Sequence, residues 1–242
     1  MKALVLAAGY GKRLKALTLD KPKALVEVSG IPLVFFSLYN LKKINIKEII
    51  INLHYKGDQV KALLGDGKKY GLRVSYSVES EILGTGGGIK KVESFFENEE
   101  NFLVLNSDIV SNIDLSEMVS FHSKARSIAT LGVKEKIKKD LFYDTQGKLY
   151  SIGKEIGQKN YGVFTGIQVL HRTFFEYAGK EFSSSIEVYR KYIEEGKNIM
   201  VFPAQNHFWY DLGTFETKLD FEEELKTCHA DHIASVKREM GL

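Results

Sequence analysis

The residues best suited to chemistry begin close to the start of the sequence. The apolar run "LVLAA" is followed by Gly9, Tyr10 and Gly11, and then by Lys12 and Arg13. Glycines let the backbone approach a ligand closely, and consecutive backbone N–H groups can bind an anion. The loop is not a Walker A motif, since no Ser or Thr follows its lysine, and it lacks the third glycine of a dinucleotide fingerprint. Two cations beside such a loop indicate phosphate binding.

Another cation and two carboxylates lie at comparable positions further along. Lys23 follows Pro22, and a lysine beside a rigid residue is readily aimed at a phosphate. Asp108 comes just after the apolar run "FLVL", and Asp211 comes after "FWY" and shortly before a glycine. Hard cations prefer oxygen donors, and magnesium is usually held by one or two carboxylates together with phosphates. The two aspartates are therefore candidate Mg²⁺ ligands, although each is also compatible with a helix cap or a turn.

A cluster of glycines occurs in the stretch "ESEILGTGGGIKKV". Each of Gly86, Gly87 and Gly88 would weaken an ordinary helix by about 1 kcal/mol relative to alanine. That cost predicts that something packs against bare backbone here. We interpret Thr85 as the cap of the helix that follows.

The order of the predicted elements is typical of a doubly wound α/β sheet. Apolar, β-branched runs predict buried parallel strands at residues 2–6, 48–53 and 102–106, and helical periodicity predicts helices between and after them. Ligands of such sheets bind at the carboxyl ends of the strands. The glycine loop, the region that begins at Glu79 and the Asp108 region all follow predicted strands.

The second half of the sequence is richer in short predicted strands and ends in a predicted helix at residues 214–226. No Pro/Gly-rich linker divides the two halves. We therefore predict one domain spanning residues 1–242, with a mixed, mostly parallel sheet and a smaller β-rich lobe. Its two halves are residues 1–125 and residues 126–242.

Composition narrows the functional classes. The 34 basic and 31 acidic side chains nearly balance and the lysines are scattered, so no nucleic-acid partner is expected. The single cysteine excludes a disulfide within the chain and suits a reducing compartment. The first apolar run is too short for a secretory core or a membrane span. The expectation is a cytoplasmic protein with no membrane partner, and the sequence does not indicate an oligomeric state.

Taken together, the motifs resemble those of the sugar-1-phosphate nucleotidylyltransferases. The segments "LAAGYGKRL", "KPKALVEVSG", "LGTGGGI", "NSD", "FTGIQVL" and "WYDLGT" occur in that family's order and span nearly the whole chain. The triple glycine and the compact length look most like the N-acetylmuramate-1-phosphate uridylyltransferases. Heptose- and mannose-1-phosphate guanylyltransferases are also similar.

This resemblance implies a Rossmann-like nucleotidyltransferase core and a set of roles. An NTP and a sugar 1-phosphate would give an NDP-sugar and pyrophosphate, with Mg²⁺ as cofactor. Residues 1–125 would bind the NTP and residues 126–242 the sugar. Arg13 and Lys23 would be catalytic, and Asp108 and Asp211 would hold the metal. The implied nucleotide-binding residues are Ala8, Gly9, Gly11, Lys12, Arg13, Lys23, Glu79, Gly84 and Thr85, and the implied sugar-phosphate-binding residues are Asn106, Thr165 and Gly166.

Several alternatives stay open at this point. A carboxylate accepts hydrogen bonds only, so Glu79 could bind the N3–H of uracil or thymine or the N1–H and N2–H of guanine, which favours UTP, dTTP or GTP. Guanylyl transfer to mannose or heptose 1-phosphate, thymidylyl transfer to glucose 1-phosphate and cytidylyl transfer to a phosphorylated alcohol compete with uridylyl transfer. A non-catalytic regulatory subunit is a further alternative. Lys12 stands where the family usually has threonine, which leaves its role open.

Overall fold

The computed structural model describes residues 1–135, 137–155, 157, 160–179, 181–225 and 227–242. The strands are β1 (Ala3–Leu6), β2 (Glu27–Val28), β3 (Ile31–Pro32), β4 (Glu48–Leu53), β5 (Arg73–Val78), β6 (Asn101–Asn106), β7 (Ile109–Ser111), β8 (Ala129–Glu135), β9 (Leu141–Tyr143), β10 (Leu149–Ile152), β11 (Asn160–His171), β12 (Ile199–Pro203) and β13 (Trp209–Asp211).

The α-helices are α1 (Val34–Lys43), α2 (Gly57–Leu64), α3 (Gly84–Lys91), α4 (Leu115–Ala125), α5 (Phe174–Tyr177), α6 (Ser185–Glu194), α7 (Phe215–Glu224) and α8 (Ala230–Met240). Short 3-10 segments occur at Lys12–Thr18, Lys23–Leu25, Lys68–Tyr70 and Glu93–Phe96. The chain forms two compact units. The loop unit comprises Ala3–Ile82, Leu105–Asn112 and Trp209–Leu242, and the β-rich unit comprises Met1–Lys2, Leu83–Val104 and Ile113–Phe208.

The loop unit is built on parallel strands. β1 pairs with β4, with Ala3 opposite Ile49, and β4 pairs with β5, with Glu48 opposite Arg73. The end of β6 lies beside β1. The run "EIIINL" of β4 is buried from its second residue onward, as expected for a strand covered on both faces. Helix α1 is buried over residues 34–41, and α8 packs on it.

The C-terminal part of the loop unit differs from the sequence prediction. The predicted last helix is present as α7, but it ends at Glu224, and Lys226 lies outside the described residues. A further helix, α8, follows it. The ring of His232 in this helix stacks on Phe36 at 6.3 Å and meets Tyr39 edge to face at 5.5 Å. The prediction of a single final helix was therefore wrong. Ile233, Val236 and Met240 of α8 are buried at helical spacing, and the helix packs on α1.

The β-rich unit is centred on β8 and β11. β8 runs antiparallel to β11 and parallel to β12, and β11 also pairs antiparallel with β9. The register of β11 against β8 shifts between Phe164 and Gln168, and Gly166 in this interval has φ of 77°. A glycine with positive φ is a usual residue at such a bulge. The predicted α/β class with a mixed, mostly parallel sheet is confirmed. The prediction of one domain whose two halves meet near residue 125 stays a prediction.

The glycine run at the start of α3 packs against the chain's own backbone. The N–H of Gly86 donates to the carbonyl of Ser183 at 2.8 Å, and the N–H of Ser183 donates to the carbonyl of Leu83 at 2.9 Å. A Cβ on Gly84 would lie 2.5 Å from the Ser183 carbonyl oxygen, and one on Gly87 would lie 2.5 Å from that of Glu181. Close packing against bare backbone is thus confirmed, and its partner is the segment 181–184 that leads into α6.

Thr85 does not cap this helix. The residue before α3 is Leu83, whose side chain cannot accept a hydrogen bond, and Thr85 lies inside the first turn. Its hydroxyl accepts from the N–H of Ser185 at 2.9 Å and donates to the Ser185 hydroxyl at 3.1 Å. The cap prediction was wrong because Thr85 is used for contact between α3 and α6 instead. Among the described residues, no helix is long and apolar enough to cross a lipid bilayer.

Gly87→Ala is expected to destabilise the protein by about 1–3 kcal/mol, because the new methyl group would overlap a backbone carbonyl. The helix propensity gained from alanine, about 1 kcal/mol, is too small to cancel a large overlap. Urea unfolding measures the effect. Gly179→Ala is the matched control, since no described atom lies within 4 Å of its added Cβ. Equal stability of the two variants would contradict this account of the glycine run.

Candidate functional site

Oppositely charged side chains meet in the loop unit. The Lys23 ammonium group makes an ion pair with Asp108, and both side chains are largely buried, at 13% and 14% exposed. A Cβ built on Gly213 would lie 2.7 Å from Asp211 Oδ1, 2.9 Å from Arg13 Nη2 and 3.1 Å from Lys23 Nζ. The two cations and the Asp211 carboxylate therefore surround the α-carbon of one glycine. Together with Asp108, they are the four charged residues predicted as catalytic or metal-binding.

Two short strands bring the aspartates together. β7 follows Asp108 and β13 ends at Asp211, and the strands pair antiparallel with Asp211 opposite Ile109. The N–H of Leu212 donates to the carbonyl of Asp108 at 3.0 Å and closes the pairing beyond the last ladder residue. Residues far apart in sequence thus become neighbours through backbone hydrogen bonds. The N–H of Gly213 also donates to Asp211 Oδ1 at 2.8 Å and orients that carboxylate.

Burial is the main cause of a raised pKa at Asp211. The negative charge of Asp108 raises this pKa further. Lys23, the Gly213 N–H and Arg13 act in the opposite direction, since each stabilises the charged carboxylate. Two carboxylates that repel each other form a site that gains from a bound cation.

Residues 7–13, which follow β1, are called the phosphate loop, and they contain one glycine that faces open space and one that is closely packed. Gly9 has no described atom within 4 Å of the position of a Cβ, so its α-carbon faces open space. Gly11 has φ of 67°, and a Cβ there would lie 3.0 Å from Lys23 Cβ and 2.9 Å from Thr18 Cγ2. Its lack of a side chain therefore lets the loop pack against the stem of Lys23. Lys12 lies over the ring of Tyr10, 5.1 Å from its centroid.

The other loop-unit candidates lie near this loop or at strand ends. Ala8 is buried, at 8% exposed. Asn106 ends β6, and its carbonyl accepts from the hydroxyl of Ser37 at 3.2 Å. Glu79 directly follows β5 and is 2% exposed. Its Oε1 accepts from Asn52 Nδ2 at 2.7 Å.

The remaining candidates belong to the β-rich unit and have roles within it. Gly84 has φ of 69° and abuts the Ser183 carbonyl, and the Thr85 hydroxyl bonds Ser185. Thr165 is fully buried and donates to the carbonyl of Gly132 at 2.9 Å. Gly166 occupies the β11 bulge. Each of the four thus has a structural use, and their ligand contacts stay predictions.

Three residues at the site were not among the sequence candidates. Gly213 is the glycine of "DLGT", and its place between three charged groups explains why no side chain is accommodated there. Asn52 and His54 lie at the end of β4 in "INLHY" and contact both Glu79 and the phosphate loop. Polar residues at the carboxyl end of an apolar strand are the signal that could have identified them.

The donor chemistry of the two aspartates fits Mg²⁺. Carboxylate oxygens are hard ligands, and magnesium commonly takes one or two of them and completes its shell with phosphate and water oxygens. Within the part of the chain that the structure describes, no group of three or more His, Cys, Asp or Glu side chains could hold a metal ion. A metal at Asp108 and Asp211 would thus depend on ligands from substrate.

A model of the family described as "Nucleotidyl transferase" matches residues 2–142. The chain belongs to this family. Among curated relatives, mannose-1-phosphate guanyltransferase of Yarrowia lipolytica is 36% identical over 133 residues, 54% of this chain and 37% of the relative. Mannose-1-phosphate guanylyltransferase of Mycobacterium tuberculosis is 36% identical over 129 residues, 53% of this chain and 36% of the relative. The match therefore spans little more than a third of the length of these relatives.

Solved structures share the fold of this member of the family over nearly its whole length. A putative glucose-1-phosphate thymidylyltransferase from Bacillus anthracis superposes with a TM-score of 0.80 at 20% identity, covering 94% of this chain and 96% of that one. HddC from Yersinia pseudotuberculosis, solved in complex with GMP-PN, superposes with a TM-score of 0.77 at 24% identity, covering 93% and 99%. At these identities the likeness concerns the fold.

Gly213→Ala is expected to weaken binding of a nucleoside triphosphate at least tenfold, or about 1.4 kcal/mol. Its methyl group would displace Asp211, Arg13 or Lys23, and these side-chain ends can move without unfolding the protein. Calorimetric titration measures the affinity, with Gly179→Ala as the control for a methyl group added in open space. Unchanged affinity in Gly213→Ala would show that the three charged groups do not act together on the nucleotide.

Proposed function

We propose that this nucleotidyl transferase moves a nucleoside monophosphate from an NTP to a sugar 1-phosphate, which gives an NDP-sugar and pyrophosphate. The observation that carries the proposal is the meeting of Arg13, Lys23 and Asp211 around Gly213, with Asp108 paired to Lys23. Family membership and the similarity to mannose-1-phosphate guanylyltransferases support the same reaction.

The chemistry needs positioning and charge neutralisation rather than a protein nucleophile. A phosphate oxygen of the sugar 1-phosphate attacks the α-phosphorus of the NTP and forms a new P–O bond. The bond from the α-phosphorus to the bridging oxygen of the β-phosphate breaks, and pyrophosphate leaves with the electron pair. Both reactants are anions, so Lys23 would neutralise charge at the reacting phosphorus and Arg13 charge on the leaving pyrophosphate.

Mg²⁺, when bound, would be held by Asp108 and Asp211 and would neutralise charge on the α-phosphate. The ion pair of Asp108 with Lys23 also gives the lysine a fixed position. The backbone of the loop around Gly9, which faces open space, suits the triphosphate. Lys12 is a less direct candidate, because its ammonium group lies over Tyr10.

For the nucleotide we propose GTP, with a mannose-type hexose 1-phosphate as acceptor. The curated relatives named above are mannose-1-phosphate guanylyltransferases, which supports guanine. Glu79 accepts hydrogen bonds only, and a carboxylate suits the N1–H and N2–H pair of guanine. The second candidate is UTP with N-acetylmuramate 1-phosphate, because the same carboxylate could accept from the N3–H of uracil. dTTP is possible on the same ground.

A regulatory nucleotide-binding subunit is the alternative without catalysis. Such a subunit does not need the groups that neutralise the reacting phosphates. Here Lys23, Asp108 and Asp211 are present and share one place in the loop unit, which favours catalysis. Cytidylyl transfer to a phosphorylated alcohol is less favoured, since cytosine has no ring N–H to donate to Glu79 and offers only its amino group.

The test of this proposal is a matrix of the four ribonucleoside triphosphates and dTTP against mannose, glucose, heptose and N-acetylmuramate 1-phosphates, with pyrophosphate release as readout. Phosphocholine and inositol phosphate serve as non-sugar acceptors. We expect the highest kcat/KM with GTP and a hexose 1-phosphate. Release with UTP alone supports the second candidate. A preference for ATP, or no release with any pair, would reject the proposed reaction or its base assignment.

Asp108→Ala is expected to lower kcat by roughly 10²–10³-fold, since it removes a carboxylate ligand and frees Lys23 from its partner. Asp58→Ala is the matched control, because its side chain is 97% exposed on α2. Pyrophosphate release at saturating substrate and increasing Mg²⁺ measures the effect. Turnover of Asp108→Ala equal to that of Asp58→Ala would remove Asp108 from the site.

A further inference from the structure

Asn52, near the end of β4, and His54, which directly follows that strand, each contact the phosphate loop and Glu79. Asn52 Oδ1 accepts from the N–H of Ala7 at 2.7 Å, and its Nδ2 donates to Glu79 Oε1 at 2.7 Å. His54 Nδ1 lies 2.8 Å from the carbonyl oxygen of Glu79, and its Nε2 lies 3.2 Å from the hydroxyl of Tyr10. We call Asn52 and His54 the β4 clamp.

The chemistry of the partners fixes the orientation of both side chains. A backbone N–H only donates, so the Asn52 oxygen must face Ala7 and its amide nitrogen must face Glu79. A carbonyl oxygen only accepts, so His54 Nδ1 carries the hydrogen of its bond to Glu79, and the Tyr10 hydroxyl is a partner for Nε2. Every bond in the clamp therefore has a donor facing an acceptor.

The β4 clamp contacts the phosphate loop on both sides of Gly9, the glycine that faces open space. Ala7 precedes Gly9 by two residues and Tyr10 follows it, so Asn52 and His54 hold the two flanks. Asn52 is 3% exposed and Glu79 is 2% exposed, so the two hydrogen bonds of Asn52 are shielded from water, whereas the contact of His54 with Tyr10 is exposed. The Glu79 N–H also donates to the carbonyl of Leu53 at 2.7 Å, which ties Glu79 directly to the end of β4.

We propose that Asn52 and His54 are positioning residues that join the phosphate loop and the Glu79 carboxylate into one rigid unit, so that triphosphate binding and base selection depend on each other. This inference rests on the proposed function, in which Glu79 selects the base. A carboxylate oxygen that accepts one hydrogen bond retains further acceptor capacity, so holding Glu79 by Asn52 is compatible with base binding.

Variants of Asn52 distinguish its hydrogen bond to Ala7 from its hydrogen bond to Glu79. Asn52→Asp keeps an oxygen that accepts from Ala7 but places a second carboxylate against Glu79, where like charges repel. Asn52→Leu removes both bonds. His54→Phe keeps a ring beside Tyr10, whose ring lies edge to face at 5.3 Å, and removes both hydrogen bonds. Glu79→Gln is the reference for loss of base selection, and Asn40→Leu is the matched control, since Asn40 is another buried asparagine with a bond to Ser111.

The experiment measures Kd for inorganic triphosphate and for GTP, UTP, CTP and ATP in Mg²⁺ without acceptor, together with thermal midpoints. Inorganic triphosphate reports on the loop alone. Asn52→Asp should keep triphosphate affinity within about threefold and lose at least tenfold in discrimination between bases, as Glu79→Gln does. Asn52→Leu should lose both, and His54→Phe should weaken triphosphate binding about tenfold. Asn40→Leu should lower the thermal midpoint and leave the ratios between bases unchanged.

Wild-type discrimination in both Asn52 variants, or the same ratios in Asn40→Leu as in Asn52→Leu, would overturn the clamp. This outcome leaves the proposed function intact, because wild-type binding and pyrophosphate release are measured separately. Wild-type protein that binds neither triphosphate nor any nucleotide would overturn the proposed function and the clamp together. Base-selective binding without pyrophosphate release would reject the reaction and still test the clamp.

Discussion

The repulsion between two neighbouring carboxylates, which nearby cations must balance, is the constraint on which the site depends. The β7–β13 ladder sets Asp108 and Asp211 side by side, and burial together with the Asp108 charge raises the pKa of Asp211. Such a pair needs cations close by. Lys23 and Arg13 supply them, and glycines at positions 11 and 213 leave room for these side chains. The cations of this arrangement would bind the phosphates of a substrate, and its carboxylates would bind a metal ion.

The elements nearest this constraint could be predicted from the sequence. The runs that form β1, β4 and β6 are apolar and short, and the residues that follow them carry the polar groups. Parallel strands end at the same edge of a sheet, which gives the predicted positions of the glycine loop, Glu79 and Asp108 a physical basis in the fold class. The meeting of Asp108 and Asp211 depends instead on the antiparallel pairing of β7 and β13. Gly213 could not be identified from the sequence, because glycine has no functional group, although three charged groups surround it in the structure.

Other residues could not be interpreted from sequence because tertiary contacts use them differently. Thr85 does not cap α3, because its hydroxyl is hydrogen-bonded to Ser185. The hydroxyl of Thr165 donates to the carbonyl of Gly132, and its contact with a sugar phosphate stays a prediction. Helix α8 does carry a signal in the sequence, because Ile233, Val236 and Met240 lie at helical spacing and form the face that is buried. His54 has no metal-ligand spacing, and only its neighbours in space give it a role. Local pattern cannot reveal partners that lie 25 or more residues away.

The two compact units are interleaved along the chain, which has a consequence for biosynthesis. The last segment of the loop unit, Trp209–Leu242, follows residues 113–208 in the sequence, and those residues belong to the β-rich unit. On a ribosome, Asp108 would emerge about a hundred residues before its neighbour Asp211. Strand β7 would have no pairing partner until β13 had been synthesised. The β-rich unit has all its strands available earlier. The charged groups of the site can therefore meet only after a stretch of about a hundred further residues has been translated.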